Sequence, residues 1–180
     1  MVEIHGKRTC PFAWRARICA REKGIPFDWL AFDVPSPDPR ALRRNPERKS
    51  PVLVHGDFEL IESLVILQYL DEAFPGPALQ PSGARERALL RLRLQKQAGL
   101  EQHVTPAEPP DHEKLRKGFD ALEEGLAGSR PWLGGSNPDL SDIAAWPFLW
   151  MLDDAGIEVR PAAYWQRARV RESLAQTRPR

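Results

Sequence analysis

Cysteine is scarce in this sequence: 180 residues carry two, Cys10 and Cys19. Two cysteines cannot staple a chain of this length, which excludes a disulfide-built scaffold and predicts a reducing, cytoplasmic setting. Long apolar runs are absent as well. Nothing approaches the roughly 18 uninterrupted apolar residues of a spanning helix, and mean hydropathy is -0.48, so no membrane partner is expected. Residues Met1 to Arg8 lack a basic stretch followed by an apolar one, so no secretory leader is read there. There is little excess charge of either sign: the formal net charge is +1. No nucleic acid or anionic surface is therefore implied as a partner. The four histidines, at 5, 55, 103 and 112, show no metal-ligand spacing, and no glycine-rich phosphate loop is visible. No metal is predicted.

What is present suits a folded protein. Hydrophobic residues make up 42% and charged residues 28%, enough for one large domain or two small ones. The 18 prolines fall mostly in loops and connections and read as punctuation. The six tryptophans read as core and domain-interface packing.

Periodicity divides the chain in two. In the first half, Val2–His5 alternates as a strand, Pro11–Glu22 is a helix stopped by Gly24, and Phe27–Val34 is a second strand. The proline-rich segment 35–39 follows, with a short helix over 40–44. Val52–His55 and Phe58–Ile61 flank Gly56-Asp57 as a hairpin. Ser63–Phe74 then reads as a mostly buried helix. The order β-α-β-(α)-β-β-α, with a crossover helix between the first two strands, predicts a mixed four-stranded sheet with flanking helices, the thioredoxin plan. After a linker over 77–83 the pattern turns helical: Ala84–Val104, Asp111–Leu126, a helix opened by Asp139-Leu140-Ser141-Asp142 and running to about Asp153, and Pro161–Leu174. Asp139 is placed to cap the third of these, with Asp142 reaching back to the Asp139 amide. The fold class is α+β: a thioredoxin-like domain over 1–76 and an all-helical domain over 84–180. The C-terminal arginines read as a solvated face.

The chemistry concentrates at Thr9-Cys10-Pro11-Phe12-Ala13. Proline suits the first turn of a helix because its missing N–H costs nothing there. Cys10 then sits at the cap, where first-turn N–H groups and the helix dipole favour thiolate over thiol. Arg8, Arg15 and Arg17 lie close by in sequence. A reachable thiolate is a nucleophile and a centre for disulfide exchange. Cys19, nine residues along the same helix, would be ~13 Å away at 1.5 Å per residue, beyond the roughly 7 Å that a disulfide spans between Cα atoms. Position 13 is alanine, so the chemistry expected is monothiol. Ser50-Pro51-Val52 opens the hairpin, and Glu62-Ser63 precedes a helix that Ser63 is placed to cap, its amides suited to a carboxylate and Glu62 to an ammonium.

Cys10-Pro11-Phe12-Ala13, then Asn45-Pro46 with Ser50-Pro51-Val52-Leu53, then Glu62-Ser63 and its helix, closely resemble the glutathione transferase superfamily. The Cys-Pro-Phe-Ala run is similar to the omega class and the related dehydroascorbate reductases. The Asp139 helix start resembles the superfamily's C-terminal capping motif. The resemblance implies that glutathione is the cosubstrate. It implies that Cys10 is the nucleophile that forms a mixed disulfide with it. It implies that Pro51 is a structural cis-proline, that Val52 is a backbone ligand, that Glu62 and Ser63 clamp the γ-glutamyl end, and that Phe12 lines the cysteine's surroundings. Arg40 or Lys49 would meet the glycyl end. The implied activity is reduction of mixed disulfides, on a small molecule or a protein, or of a small oxidant such as dehydroascorbate. A homodimer is implied by the family alone. The alternative is a non-catalytic adaptor or regulatory binding module on the same fold.

Overall fold

The computed structural model describes residues 1–32, 49–103 and 111–179. The expected helix over 40–44, Asn45-Pro46 and Arg40 lie outside them. Four strands form one sheet in the order β2-β1-β3-β4. The first, β1 (Val2–Lys7), buries Val2, Ile4 and Gly6 and turns Glu3, His5 and Lys7 the other way, the two-residue period of a strand with one face in the core. It pairs in parallel with β2 (Phe27–Phe32) and antiparallel with β3 (Val52–His55), which pairs antiparallel with β4 (Phe58–Leu60). This is the mixed sheet expected from the element order.

Helix α1 (Pro11–Lys23) provides the crossover between β1 and β2. It starts at a proline and ends where Gly24, at φ +74°, returns its N–H to the carbonyls of Ala20 and Arg21, a left-handed cap that glycine adopts without a Cβ penalty. Ala13, Ala16 and Ala20 are fully buried, so small side chains let the helix lie close to the sheet. Helix α2 (Ser63–Ala73) packs against α1 through Ile66, Leu67 and Leu70. Each such side chain contributes about 1.5–3 kcal/mol by leaving water. Near the far end of α1, Lys23 Nζ lies 2.6 Å from Asp71 and donates to the Pro77 carbonyl at 3.0 Å, with both charged side chains buried.

The remaining elements are helical: α3 (Ala84–Lys96), a 3-10 segment (Gln97–His103), α4 (His112–Gly125), α5 (Leu140–Asp154), α6 (Ala162–Ala168) and α7 (Glu172–Thr177). The single helix expected over 84–104 is thus an α-helix that tightens into a 3-10 segment after Lys96. There Gly99 abuts backbone: a Cβ on it would lie 2.4 Å from the Lys114 carbonyl oxygen. The one helix expected over 161–174 is two, with 169–171 between them. Helix α5 is buried on nearly every side from Leu140 to Leu149, the pattern of a central helix rather than an amphipathic one. It carries Pro147 in its interior. Trp132 packs edge-on against Trp146 and Tyr164 at centroid distances of 5.8 and 5.9 Å. The Arg171 guanidinium lies over both indoles, 5.3 Å from Trp132 and 5.5 Å from Trp146, so this arginine is not part of a solvated face.

The capping expected at the start of α5 extends into a buried network. The Asp139 carboxylate accepts from the Ser141 amide at 2.8 Å and from its hydroxyl, and from Arg93 Nη2 at 2.5 Å. The Asp142 carboxyl accepts from the amides of Asp139 (2.9 Å), Leu133 (3.0 Å) and Gly134 (3.1 Å), and from the Tyr164 hydroxyl at 2.9 Å. Tyr164 in turn accepts from Trp146 Nε1. Burial, and then the Asp139 carboxylate, push the Asp142 carboxyl up to about 7 against the pull of these hydrogen bonds.

By compactness the chain forms two units, Met1–Pro77 with Gln176–Arg180, and Ala78–Ala175. The sequence reading runs the second domain to 180; Gln176 onward groups with the first, where Trp14 Nε1 donates to Thr177 Oγ1 at 2.9 Å.

Candidate active site

Cys10 is the N-cap of α1, with extended backbone (φ -72°, ψ 117°) and no side-chain cap bond. Its amide donates to the Lys7 carbonyl and its carbonyl accepts from Trp14 N–H, so the turn between β1 and α1 fixes the cysteine from both sides. The side chain is half-buried and its thiol is free. Pro11 offers no N–H, and the amides of the first turn face the cap.

The Ser50–Pro51 peptide bond is cis and leads into β3. Cys10 Sγ donates to the Ser50 carbonyl at 3.5 Å, and Ser50 Oγ accepts from the Lys7 amide at 2.9 Å. Residues 40 apart in sequence are thereby held beside one another. Gly6 makes this close approach feasible: a Cβ on it would lie 2.7 Å from Ala13 Cβ, 2.8 Å from Ser50 Oγ and 3.2 Å from Trp29 Cη2. The ladder between β3 and β4 begins at Leu53↔Leu60. Val52 therefore lies beyond the end of β4 while it still pairs with His5 of β1.

Glu62, and not Ser63, is the N-cap of α2. The sequence expectation of a Ser63 cap fails because Ser63 is already the first helical residue and its hydroxyl is engaged elsewhere. Arg15 Nε and Nη2 both donate to Ser63 Oγ, at 3.0 and 2.7 Å. Arg15 is 3% exposed and Ser63 6%, and the guanidinium lies 5.0 Å from the centre of the Phe12 ring. Glu62 has φ +68° and ψ 102°, a left-handed conformation that a non-glycine residue holds at a cost of about 1–3 kcal/mol. Its carboxylate meets Lys49 Nζ at 2.5 Å, both side chains half-exposed. Of the two residues considered for the glycyl end of glutathione, Lys49 thus reaches Glu62.

Cys19 is fully buried and donates to the Leu67 carbonyl at 3.8 Å. Burial, and then Asp71, push its thiol well above the usual range. Among the described residues no group of three or more His, Cys, Asp or Glu is placed to hold a metal, and no helix is long and apolar enough to cross a membrane. Sequence reasoning placed Arg15 and Arg17 only as charges near Cys10. Their burial is set by tertiary packing, and a local reading of the helix carries no signal of it.

A family model described as the glutathione S-transferase N-terminal domain matches residues 4–78, and one for the C-terminal domain matches residues 83–175. A probable glutathione S-transferase of Solanum tuberosum is 38% identical over 91 residues, spanning 50% of this chain and 42% of that protein. Glutathione S-transferase omega-1 of Mus musculus is 27% identical over 161 residues, spanning 84% of this chain and 67% of that one. This chain therefore spans less than half of the potato protein and about two thirds of the mouse protein. Among solved structures, a rice glutathione transferase in complex with glutathione is 29% identical, with a TM-score of 0.78, covering 99% of this chain and 92% of that one. With two family models laid end to end along a thioredoxin-type sheet and a helical second unit, the chain belongs to the glutathione S-transferase family.

Proposed function

We propose that this protein is a glutathione-dependent thiol transferase in which Cys10 acts alone as the sulfur nucleophile. The observation that carries the reading is the placement of a free, half-buried cysteine at the N-cap of α1, against the cis Ser50–Pro51 segment. Glutathione would lie with its cysteinyl backbone along Val52, whose edge β4 leaves uncovered, and its γ-glutamyl end toward Glu62 and Ser63. Phe12 would border the sulfur. Ser63 fits a carboxylate for a specific reason. Its oxygen accepts twice from Arg15, so its own hydrogen is left to donate, and the adjacent guanidinium strengthens that donation. Glu62 is suited to the α-ammonium, which would take the place of Lys49. That exchange costs little, because an exposed ion pair contributes only about 0–1 kcal/mol.

The reaction balances as two exchanges. The Cys10 thiolate attacks the glutathionyl sulfur of a mixed disulfide; a Cys10–glutathione disulfide forms and the substrate leaves as its thiolate, taking a proton from solvent. A second glutathione thiolate then attacks the glutathione sulfur of that disulfide, releasing oxidised glutathione and restoring Cys10. Cys19 cannot serve as the resolving thiol, since it is fully buried and bonded to the α2 backbone. Relatives of the omega class in name, such as the mouse protein, support this reading. The test is retention on immobilised glutathione followed by mass analysis after exposure to oxidised glutathione. A single adduct of one glutathione on Cys10 is expected, and a protein that is neither retained nor modified would count against the proposal.

A further inference from the structure

The exchange at Cys10 leaves one buried cation without a task. Arg17 is 7% exposed, and its Nε and Nη2 are buried with no hydrogen-bond partner. No carboxylate pairs with it among the described residues. Its guanidinium stacks on the Trp29 ring, whose centroid lies 4.2 Å from the guanidinium carbon. A stack on an indole offsets part of the cost of burying the charge, but it leaves the N–H groups unsatisfied, and buried unsatisfied donors are rare enough to call for an explanation. Lys23, another buried cation of α1, has both a carboxylate and a carbonyl; Arg15 has Ser63. Arg17 is the exception on this helix.

Its position indicates what the missing partner is. Arg17 follows Cys10 by seven residues, two helical turns, which places both on one face about 10 Å apart along the axis. Long helical side chains lean toward the N-terminus, so the guanidinium is carried toward Cys10. Trp29 marks the endpoint: its Cη2 edge, Ala13 and Ser50 converge on Gly6, and the Ser50 carbonyl is the group that Cys10 Sγ touches. The Cys10–Ser50 contact itself belongs to the protonated thiol. A thiolate has no hydrogen to give to a carbonyl and needs donors instead.

We propose that Arg17 is the counter-cation of the Cys10 sulfur, receiving its negative charge when the thiol ionises and again when Cys10 leaves from the mixed disulfide. The proton goes to solvent in the first case, and the S–S bonding pair returns to Cys10 in the second. Arg17 acts through Cys10 and is a positioning residue; the inference rests on Cys10 being the nucleophile. Burial lowers the Arg17 guanidinium to about 10, and the next influence in size, Cys10 as an anion, raises it, while Arg8 lowers it. Arg17 therefore remains charged at neutral pH.

Alkylation of Cys10, read by peptide mass spectrometry without glutathione, tests this. Neutral iodoacetamide and anionic iodoacetate are compared at pH 7 on wild type, R17M, R17Q and R17K. Removing a nearby cation should slow iodoacetamide about tenfold in R17M and R17Q and slow iodoacetate further, so that the iodoacetate-to-iodoacetamide ratio falls. R17K should stay within about twofold of wild type by retaining the charge. With a merely structural Arg17 the ratio would stay that of wild type in R17M and R17Q, and a lysine at this position would rescue nothing. If R17M does not fold, R17Q, which keeps the flat stack on Trp29, gives the same reading. Unchanged rates and ratio in a folded R17M or R17Q would overturn the proposal while Cys10 stays reactive. A wild-type Cys10 inert to both reagents would overturn the thiol-transferase reading and this inference with it.

Discussion

Asp142→Asn should destabilise the protein, and by more at pH 5 than at pH 8. The wild-type carboxyl receives three backbone amides and the Tyr164 hydroxyl. A carboxyl protonated on Oδ1 keeps all three amides, because its O–H can donate to Tyr164, which turns to accept. An asparagine amide cannot. With its oxygen on Gly134 and Asp139, its NH2 faces Tyr164 and the Leu133 amide, and that amide is orphaned. One buried unsatisfied N–H costs about 1–3 kcal/mol. The pH dependence has a definite sign. The Asp142 carboxyl is raised to about 7 in the folded protein, first by burial and then by Asp139, whereas an unfolded aspartate titrates near 3.9. Between these values the folded state holds a proton that the unfolded chain has released. The stability this group contributes is therefore complete below about pH 4 and declines as pH rises to about 7. The asparagine side chain of the variant has no such titration, so the gap between wild type and variant should narrow over that window. Urea denaturation followed by tryptophan fluorescence at pH 5, 6, 7 and 8 measures it. A gap that stays constant from pH 5 to pH 8 would mean that Asp142 is ionised throughout, and the assignment of burial as the dominant influence would be wrong.

Gly6→Ala should both destabilise the fold and slow Cys10: the new Cβ would meet Ala13 Cβ at 2.7 Å and Ser50 Oγ at 2.8 Å, an overpacking cost of about 1–3 kcal/mol. Thermal melting, together with the iodoacetamide rate at Cys10, checks this, and a variant that matched wild type in both would show that the β1–Ser50 approach is dispensable. Ser63→Ala removes the acceptor of two bonds from buried Arg15. A loss of about 1.5–3 kcal/mol in stability should be accompanied by a raised KM for glutathione with kcat little changed, measurable by denaturation and steady-state kinetics.

Local signals account for most of what the sequence discloses about the fold. A proline at the first position of α1 and a glycine at +74° beyond its end are chemical punctuation that needs no tertiary partner. So are the Gly56-Asp57 hairpin and the acidic pair opening α5. Asp139 and Asp142 are three residues apart, and a capping box is a short-range device. Legibility fails where long-range contacts decide. The division of 161–174 into two helices and the tightening of the chain after Lys96 depend on neighbours distant in sequence. At the site, the place of Cys10 at the N-cap of α1 is legible because its own neighbours encode that helix start. The occupation of Ser63 by Arg15, 48 residues away, is not, and it engages the hydroxyl that the sequence offers as a cap. Nor is the isolation of Arg17, since a charged residue on a helix is ordinarily solvated and only the packing of Trp29 over it shows otherwise.

The most direct test of Cys10 as a lone nucleophile is glutathione-dependent reduction of a small mixed disulfide by wild type, Cys10→Ser and Cys19→Ser. The account predicts turnover by wild type, loss of at least about a hundredfold in Cys10→Ser, since a serine hydroxyl cannot exchange with a disulfide, and near-normal turnover in Cys19→Ser. A folded wild type without turnover, or a Cys10→Ser variant that retains it, would contradict the account and favour a binding module on the same fold.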